Sequence, residues 1–177
     1  TNLCLAQNTQ FSLNADLTIT SATWDFGDGS TSNDLTPVHT YANAGTYTVS
    51  VLAGTASGTS TKTRDVVISS IPTATKPSNV LVCDSNNDGF YSFNLTSQNA
   101  AILNGQDPNL FAINYFASAS DYANKIPIST PTNYINTSVY QQQTIIAEVS
   151  SKANSDCKST TSFEIDVFDL PKPASVI

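Results

Sequence analysis

The residues of this chain that could bind a metal ion are concentrated between positions 84 and 90. Asp84, Asn86 and Asp88 occupy alternate positions, and a glycine follows the last of them. In a calcium-binding loop, side-chain oxygens at alternate positions and one backbone carbonyl surround the ion. The pattern therefore predicts a structural Ca²⁺ held by the side chains of Asp84, Asn86 and Asp88 and by the backbone carbonyl of Phe90.

The same residues also have an interpretation that needs no metal. The twelfth position of the loop is Leu95, where a calcium loop normally supplies a bidentate glutamate. An Asp-Gly pair between two strands is, moreover, a common turn sequence. Both interpretations remain open at the level of sequence, and Ca²⁺ is the one cofactor that the chain suggests.

Catalytic chemistry has few candidate residues. Asp25 and Asp28 precede His39, the only histidine, and a lone histidine cannot supply the ligand set of a zinc site. Asp25 or Asp28 is a further candidate calcium ligand. The sequence contains no Gly-rich phosphate loop, no His-Glu-x-x-His motif and no Gly-x-Ser-x-Gly motif. We therefore predict no catalytic residues, no cofactor-binding residues apart from the calcium loop, and no enzymatic activity.

Three cysteines allow one disulfide and leave one thiol over. Cys83 opens the second half of the chain, and Cys157 precedes the last predicted strand. We therefore expect a Cys83–Cys157 disulfide, with Cys4 left unpaired. Closing a loop of about 75 residues would stabilise the fold by on the order of 4 kcal/mol in the chain-entropy model.

Composition narrows the class of protein. Hydrophobic residues make up 40% of the 177 residues, which is enough for a packed core, whereas charged residues make up only 12%. The net charge of -7 argues against nucleic acid and anionic lipid as partners. No apolar run of about 18 residues occurs, so we expect no membrane insertion.

The elements that carry these residues are predicted to be strands. Residues 46–52 alternate polar and apolar side chains, as a half-buried strand does, and turn signals recur roughly every 8 to 12 residues. Other predicted strands include residues 11–13, 17–26 and 162–168. Short helices are expected at 97–103 and 119–125, because Ser97 and Ser120 are suitable helix-starting residues. A proline-containing linker at 71–77 predicts two domains, residues 1–72 and residues 73–177.

The first domain carries a recognisable pattern. It consists of Trp24-Asp25-Phe26-Gly27-Asp28-Gly29-Ser30, then Pro37-Val38-His39-Thr40-Tyr41, then residues 45–51. This pattern resembles the PKD domain, a seven-stranded immunoglobulin-like sandwich. The resemblance implies a core built on Trp24, Phe26, Tyr41 and Tyr47, and a fold class of two tandem immunoglobulin-like β-sandwich domains.

The second domain resembles repeats that accompany PKD domains in large surface proteins of gliding bacteria. The matching elements are Cys83-Asp84, Asp88-Gly89, Phe93-Asn94-Leu95 and Cys157. Proteins of this kind are typically exported by the type IX secretion system and act as adhesins. The resemblance implies an extracellular location at the bacterial cell surface.

Together these features predict a non-enzymatic structural or adhesive module of a large cell-surface protein, serving as a spacer or stalk for attachment or gliding. Its partners would be neighbouring domains of a longer chain and an extracellular polysaccharide or surface. The alternative is an accessory module of a secreted hydrolase that engages polysaccharide or collagen. A third hypothesis is a sugar-stacking surface formed by five aromatic residues, although their alternation favours core or cross-strand packing: Tyr115, Phe116, Tyr122, Tyr134 and Tyr140.

Overall fold

The computed structural model describes residues 2–169 and separates them into two compact units. Unit 1 contains the chain up to Ile71 together with Ser151–Cys157, and unit 2 contains Pro72–Ser150 and the chain from Lys158 onward. Strands make up nearly all of the regular structure. The predicted fold class, all-β with two tandem sandwich domains and short helices in the second, is confirmed.

Unit 1 is built from seven strands. A five-stranded sheet has the order β1-β7-β6-β3-β4, and β2 pairs with β5 in a second, two-stranded sheet. The long hairpin formed by β6 and β7 is antiparallel throughout, whereas β1 lies parallel to the end of β7. The strand bounds are β1 Asn2–Cys4, β2 Thr9–Gln10, β3 Ser21–Asp25, β4 Thr31–Ser32, β5 Val38–His39, β6 Gly45–Thr55 and β7 Gly58–Ser69.

The core of unit 1 follows from the alternation along β3. Ala22 and Trp24 point inward, and Phe26 continues the same face. Trp24, Phe26 and Tyr41 are buried, and Tyr47 is partly buried against them. Burying such large rings between two sheets supplies much of the apolar area that stabilises a sandwich of this size.

Gly27 is required by the turn that follows β3. Its φ of +78° lies in the left-handed region that side-chain-bearing residues rarely adopt. A Cβ at this position would also lie 2.7 Å from the backbone oxygen of Thr48 on β6. The glycine therefore allows the turn to pack directly against the neighbouring strand.

Unit 2 contains six strands and three short helical segments. A four-stranded sheet has the order β10-β12-β13-β8, in which β8 is parallel to β13, and β9 pairs with β11. The strand bounds are β8 Val80–Asp84, β9 Ser92–Phe93, β10 Phe111–Phe116, β11 Tyr134–Ile135, β12 Gln143–Ser151 and β13 Lys158–Asp169. A 3-10 turn at Leu95–Gln98 leads into α1, Asn99–Leu103, and α2 spans Ala119–Ala123.

The core of unit 2 lies against the paired strands β12 and β13. Ile145, Val149, Phe163 and Ile165 are fully buried there, and Ile102 of α1 packs on the same cluster. Burial alternates along the second half of β13, as the sequence indicates, whereas β12 is buried at every position from Ala147 to Ser151. None of the helices in the described part of the chain has the length and apolar character needed to cross a membrane.

Candidate functional site

The disulfide joins Cys4 to Cys157, so the predicted Cys83–Cys157 pairing is wrong. Cys4 ends β1, and Cys157 lies in the turn before β13. Both cysteines are buried, and both belong to unit 1. Cys83 is a free, exposed thiol.

The register of unit 2 explains why Cys83 cannot reach Cys157. Because β8 runs parallel to β13, Cys83 lies opposite Phe168 near the far end of that strand. Cys157 precedes β13, eleven positions before Phe168, which corresponds to roughly 35 Å of extended chain. A disulfide needs Cα atoms closer than about 7 Å. The Cα atoms of Cys4 and Cys157 are 5.3 Å apart.

The loop after β8 is held by its own polar side chains. Asp84 is buried, and its two carboxylate oxygens accept hydrogen bonds from the backbone N–H groups of Asn86 (3.1 Å) and Gly89 (2.6 Å). The side chain of Asn86 donates to the Asp88 carboxylate at 2.8 Å, and that carboxylate accepts from the N–H of Phe90 at 2.8 Å. Each predicted ligand residue therefore takes part in a hydrogen bond within the turn.

Electrostatics keep Asp84 ionised in this turn. Burial opposes ionisation, but the backbone N–H donors around the carboxylate, led by that of Gly89, outweigh it and lower the pKa of Asp84. A further contact closes the turn, because the Asn136 side chain donates to the carbonyl of Gly89 at 2.9 Å and accepts from the N–H of Tyr91 at 2.8 Å.

The residue types in this loop fit a hard cation only in part. Asp84 and Asp88 supply two carboxylates, and the remaining predicted ligands are the Asn86 amide and a backbone carbonyl. Within residues 2–169, no group of three or more His, Cys, Asp or Glu side chains is placed to hold a metal ion. Calcium binding at Asp84, Asn86, Asp88 and Phe90 stays a prediction.

Asp28, Ser30 and His39 form the second polar cluster. His39 Nε2 lies 2.8 Å from Asp28 Oδ2 and 3.3 Å from Ser30 Oγ, and the Ser30 hydroxyl donates to Asp28. A hydrolytic triad uses both ring nitrogens, one toward the acid and one toward the nucleophile. Here a single nitrogen faces both residues, and the serine hydroxyl donates to the carboxylate, so the arrangement ties the turn to β5.

The surroundings of this cluster agree with a structural role. The His39 ring stacks on Phe26 at 4.1 Å between ring centroids and meets Tyr41 edge-on at 4.7 Å. Burial opposes ionisation of Asp28, but hydrogen bonds from Ser30 and from His39 outweigh it and lower the pKa of its carboxyl. The Tyr41 hydroxyl donates to the carbonyl of Phe26, and burial raises the pKa of Tyr41 to about 12.

The aromatic residues of unit 2 do not form an open stacking surface. Tyr115, Phe116 and Tyr134 are buried, and Tyr115 packs edge-on against Phe163 in the core. Burial also raises the pKa of the Tyr115 hydroxyl. Tyr140 is the one exposed member of the set, so the hypothesis of a sugar-stacking face on these five residues is wrong.

Family models match both parts of the chain. A model described as the PKD domain matches residues 2–69, which confirms the resemblance of the first segment. A model described as the Flavobacterium inter-domain disulphide bond domain matches residues 79–171, more than half of the chain. The chain belongs to this disulphide-domain family. Cys4 lies in the PKD match and Cys157 in the disulphide-domain match, so their bond joins the two matched segments.

One curated relative matches part of the chain. A microbial collagenase of Vibrio alginolyticus is 48% identical over 54 residues, which cover 30% of this chain and 7% of the relative. The chain therefore corresponds to only a small part of that protein.

Similar solved structures include a PKD domain and a set of consecutive extracellular domains. The PKD1 domain of Vibrio anguillarum Epp is 29% identical, covers 36% of this chain and 90% of its own, and has a TM-score of 0.29. Extracellular domains 3–5 of Drosophila OTK are 13% identical, cover 97% of this chain and 59% of their own, and have a TM-score of 0.50. The second likeness concerns the fold alone.

Sequence reasoning missed Cys4 as the partner of Cys157. The spacing of the three cysteines carries no signal for this pairing. The parallel register of β8 and β13 decides that Cys83 cannot reach Cys157. The sequence pattern of the two strands does not reveal this register.

Proposed function

We propose that this chain is a non-enzymatic spacer in a larger extracellular bacterial protein, and that its disulfide carries tension past most of the chain. The observation that supports the proposal is the covalent link between Cys4 and Cys157. A pull applied before Cys4 and after β13 would pass from Cys4 through the disulfide to Cys157. Residues 5–156 would then carry no tension.

The disulfide would keep tension off a long stretch of the chain. The two cysteines are 153 positions apart in sequence. Fully extended, that stretch would span roughly 530 Å at about 3.5 Å per residue. An oxidised spacer would therefore keep a nearly constant length under load, whereas a reduced one would lengthen as its domains unfold.

The chain at the start of unit 2 is also held in place. The backbone N–H of Thr73 donates to the Gln106 side chain at 2.9 Å, and Gln106 donates back to the Thr73 carbonyl at 2.7 Å. Prolines at 72 and 77 further restrict this segment. Such anchoring suits a module that keeps its neighbours at a fixed distance.

The location agrees with this role. Disulfides persist in oxidising compartments, and the PKD match together with the disulfide points to an extracellular protein. We place the spacer in a cell-surface adhesin used for attachment or gliding, with neighbouring domains of the parent chain as its direct partners. Deleting residues 1–177 from the parent while keeping its other domains should leave export intact and reduce attachment of the cells.

The spacer role is tested by stretching the chain between handles fused to its two ends. We expect the oxidised chain to show no lengthening from residues 5–156, and the reduced chain to show it. Equal lengthening in both states would refute the proposal.

A second candidate function is that of an accessory module which engages collagen or polysaccharide beside a hydrolase. The observation that favours it is the 48% identity to a segment of a microbial collagenase. Saturable binding of the 177-residue chain to collagen, chitin or cellulose would support this function. Absence of retention on all three would favour the spacer.

A further inference from the structure

One strand edge in unit 1 is left without a partner. β1 pairs with β7 only at Val67, Ile68 and Ser69. Residues 58–65 of the same strand have β6 on one side and, within the described chain, no strand on the other. All of these residues are exposed.

The backbone of this edge faces outward at alternate residues. The carbonyl of Ser69 accepts the N–H of Leu5 at 2.9 Å, so the backbone groups of Ser69 point away from β6. Because this direction alternates along a strand, the N–H and C=O groups of Thr59, Thr61 and Thr63 also point away from β6. They offer a ladder of donors and acceptors to an added strand.

The side chains of this edge carry two positive charges. Lys62 and Arg64 are the only lysine or arginine between residues 2 and 71. They lie on the face that buries Val66 and Ile68 farther along β7, yet both are exposed. Neither makes an ion pair with any residue in the described range. Two unpaired cations are thus presented at alternate positions in a chain whose net charge is -7.

Two pockets border these two cations. The larger pocket has a volume of about 460 Å³ and lies between Lys62 and an apolar wall that includes Leu13, Leu17 and Ile19. Asp16 is the one acidic residue of this lining.

The smaller pocket lies near the end of β7 that β1 covers. It has a volume of about 210 Å³ and is lined by Phe11 and Arg64 among others. Each cation therefore borders a space that is open to another side chain.

We propose that the exposed edge of β7 binds an extended peptide strand whose acidic side chains, at alternate positions, face Lys62 and Arg64. A strand added to this edge would hydrogen-bond to the outward backbone groups of Thr59, Thr61 and Thr63. Side chains on one face of a strand recur about every 6.8 Å, which is the rise of two residues. The acidic side chains of the added strand would therefore have the same spacing as Lys62 and Arg64. The proposal concerns a separate surface and does not depend on the spacer role.

The charges also explain why this edge would accept one class of strand and reject others. A basic strand would repel Lys62 and Arg64, and an apolar one would bury them without partners. A strand with carboxylates at both positions would neutralise them. A nucleic acid would meet the same two cations but has no peptide backbone to pair with the outward N–H and C=O groups of β7.

The test uses the oxidised 177-residue chain and a labelled ten-residue peptide in which Glu alternates with Val. Fluorescence anisotropy measures binding at low salt, with a second peptide carrying Lys in place of Glu. We expect saturable binding of the Glu peptide only. The double substitution Lys62→Glu and Arg64→Glu should weaken it by about ten-fold or more, since each exposed ion pair contributes up to about five-fold.

Two further variants separate the edge from general charge attraction. Lys76→Glu with Lys125→Glu makes the same change of net charge in unit 2 and should leave binding unchanged. Thr61→Pro removes an N–H that points away from β6 and should block the added strand while preserving the fold. Circular dichroism checks that each variant is folded.

Three results would overturn the proposal. The first is equal binding of the Glu and Lys peptides, or no binding of either. The second is equal weakening by the two charge-reversal pairs, which would indicate non-specific attraction. The third is concentration-dependent self-association that Thr61→Pro abolishes, without peptide binding, which would make the occupant a second copy of this chain.

Discussion

Removing the Cys4–Cys157 disulfide should lower the stability of the chain by several kcal/mol, about as much as its loop length implies. The bond closes a loop with a sequence separation of 153. In the chain-entropy model, a loop of that size lowers the entropy of the unfolded chain enough to stabilise the fold by about 5 kcal/mol. We therefore expect Cys4→Ser with Cys157→Ser to lower the free energy of unfolding by about that amount, summed over all unfolding transitions.

The assay is urea denaturation of the oxidised chain. Fluorescence of Trp24, the only tryptophan, reports unit 1, and circular dichroism reports both units. Cys83→Ser is the matched control, because it removes an exposed thiol and should change stability by less than about 0.5 kcal/mol. Adding a reductant to the wild-type chain should reproduce the loss seen in the double variant.

Counting the reactive thiols tests the assignment of the disulfide. Under denaturing, non-reducing conditions the wild-type chain should show one reactive thiol, which Cys83→Ser removes. If Cys83→Ser destabilised the chain as much as the double variant, or if three thiols reacted, the assignment of the disulfide would be wrong.

Three other predictions concern the core, the pH dependence and the metal. Phe163→Ala should lower the free energy of unfolding by about 3–5 kcal/mol because the ring is fully buried, whereas exposed Phe168→Ala should have little effect in the same urea titration. Because the folded-state pKa of Asp28 is lowered, its contribution to stability is present above its ordinary pKa of about 3.9 and is lost as the pH falls through the folded value. Thermal melts of Asp28→Asn should therefore lose less stability on acidification than wild type, and an unchanged profile would contradict this. If Ca²⁺ binds the loop after β8, adding Ca²⁺ to the EDTA-treated chain should raise the melting midpoint of the wild type but not that of Asp88→Ala. An unchanged midpoint in the wild type would contradict calcium binding.

The fold could be predicted from the sequence because its strands are amphipathic. Trp24 and Phe26 lie two residues apart, and both are buried in the sandwich core as the period of two indicates. The predicted strand at residues 11–13 was wrong, since the paired residues are Thr9 and Gln10. Phe11 is held instead by side-chain packing, with its ring 5.7 Å from that of Trp24.

The sequence identified the polar residues that follow β8, but it left open whether they bind a metal ion or only form a turn. Asp84 and Asp88 belong to a turn, as the interpretation without a metal predicts. Their carboxylates accept hydrogen bonds from backbone N–H groups. The edge of β7 with Lys62 and Arg64 could not be found from sequence, because it depends on how far β1 extends along that strand. Pairing length is a property of tertiary structure and leaves no local pattern.

The most direct test of the spacer role is single-molecule force spectroscopy on three forms of the chain. In the oxidised wild type and in Cys83→Ser, we predict no increase in contour length from residues 5–156. In Cys4→Ser with Cys157→Ser, the two Cα atoms that are 5.3 Å apart when folded should separate as the domains unfold. The contour length between them should then reach roughly 530 Å. The same gain in the oxidised wild type would contradict the account.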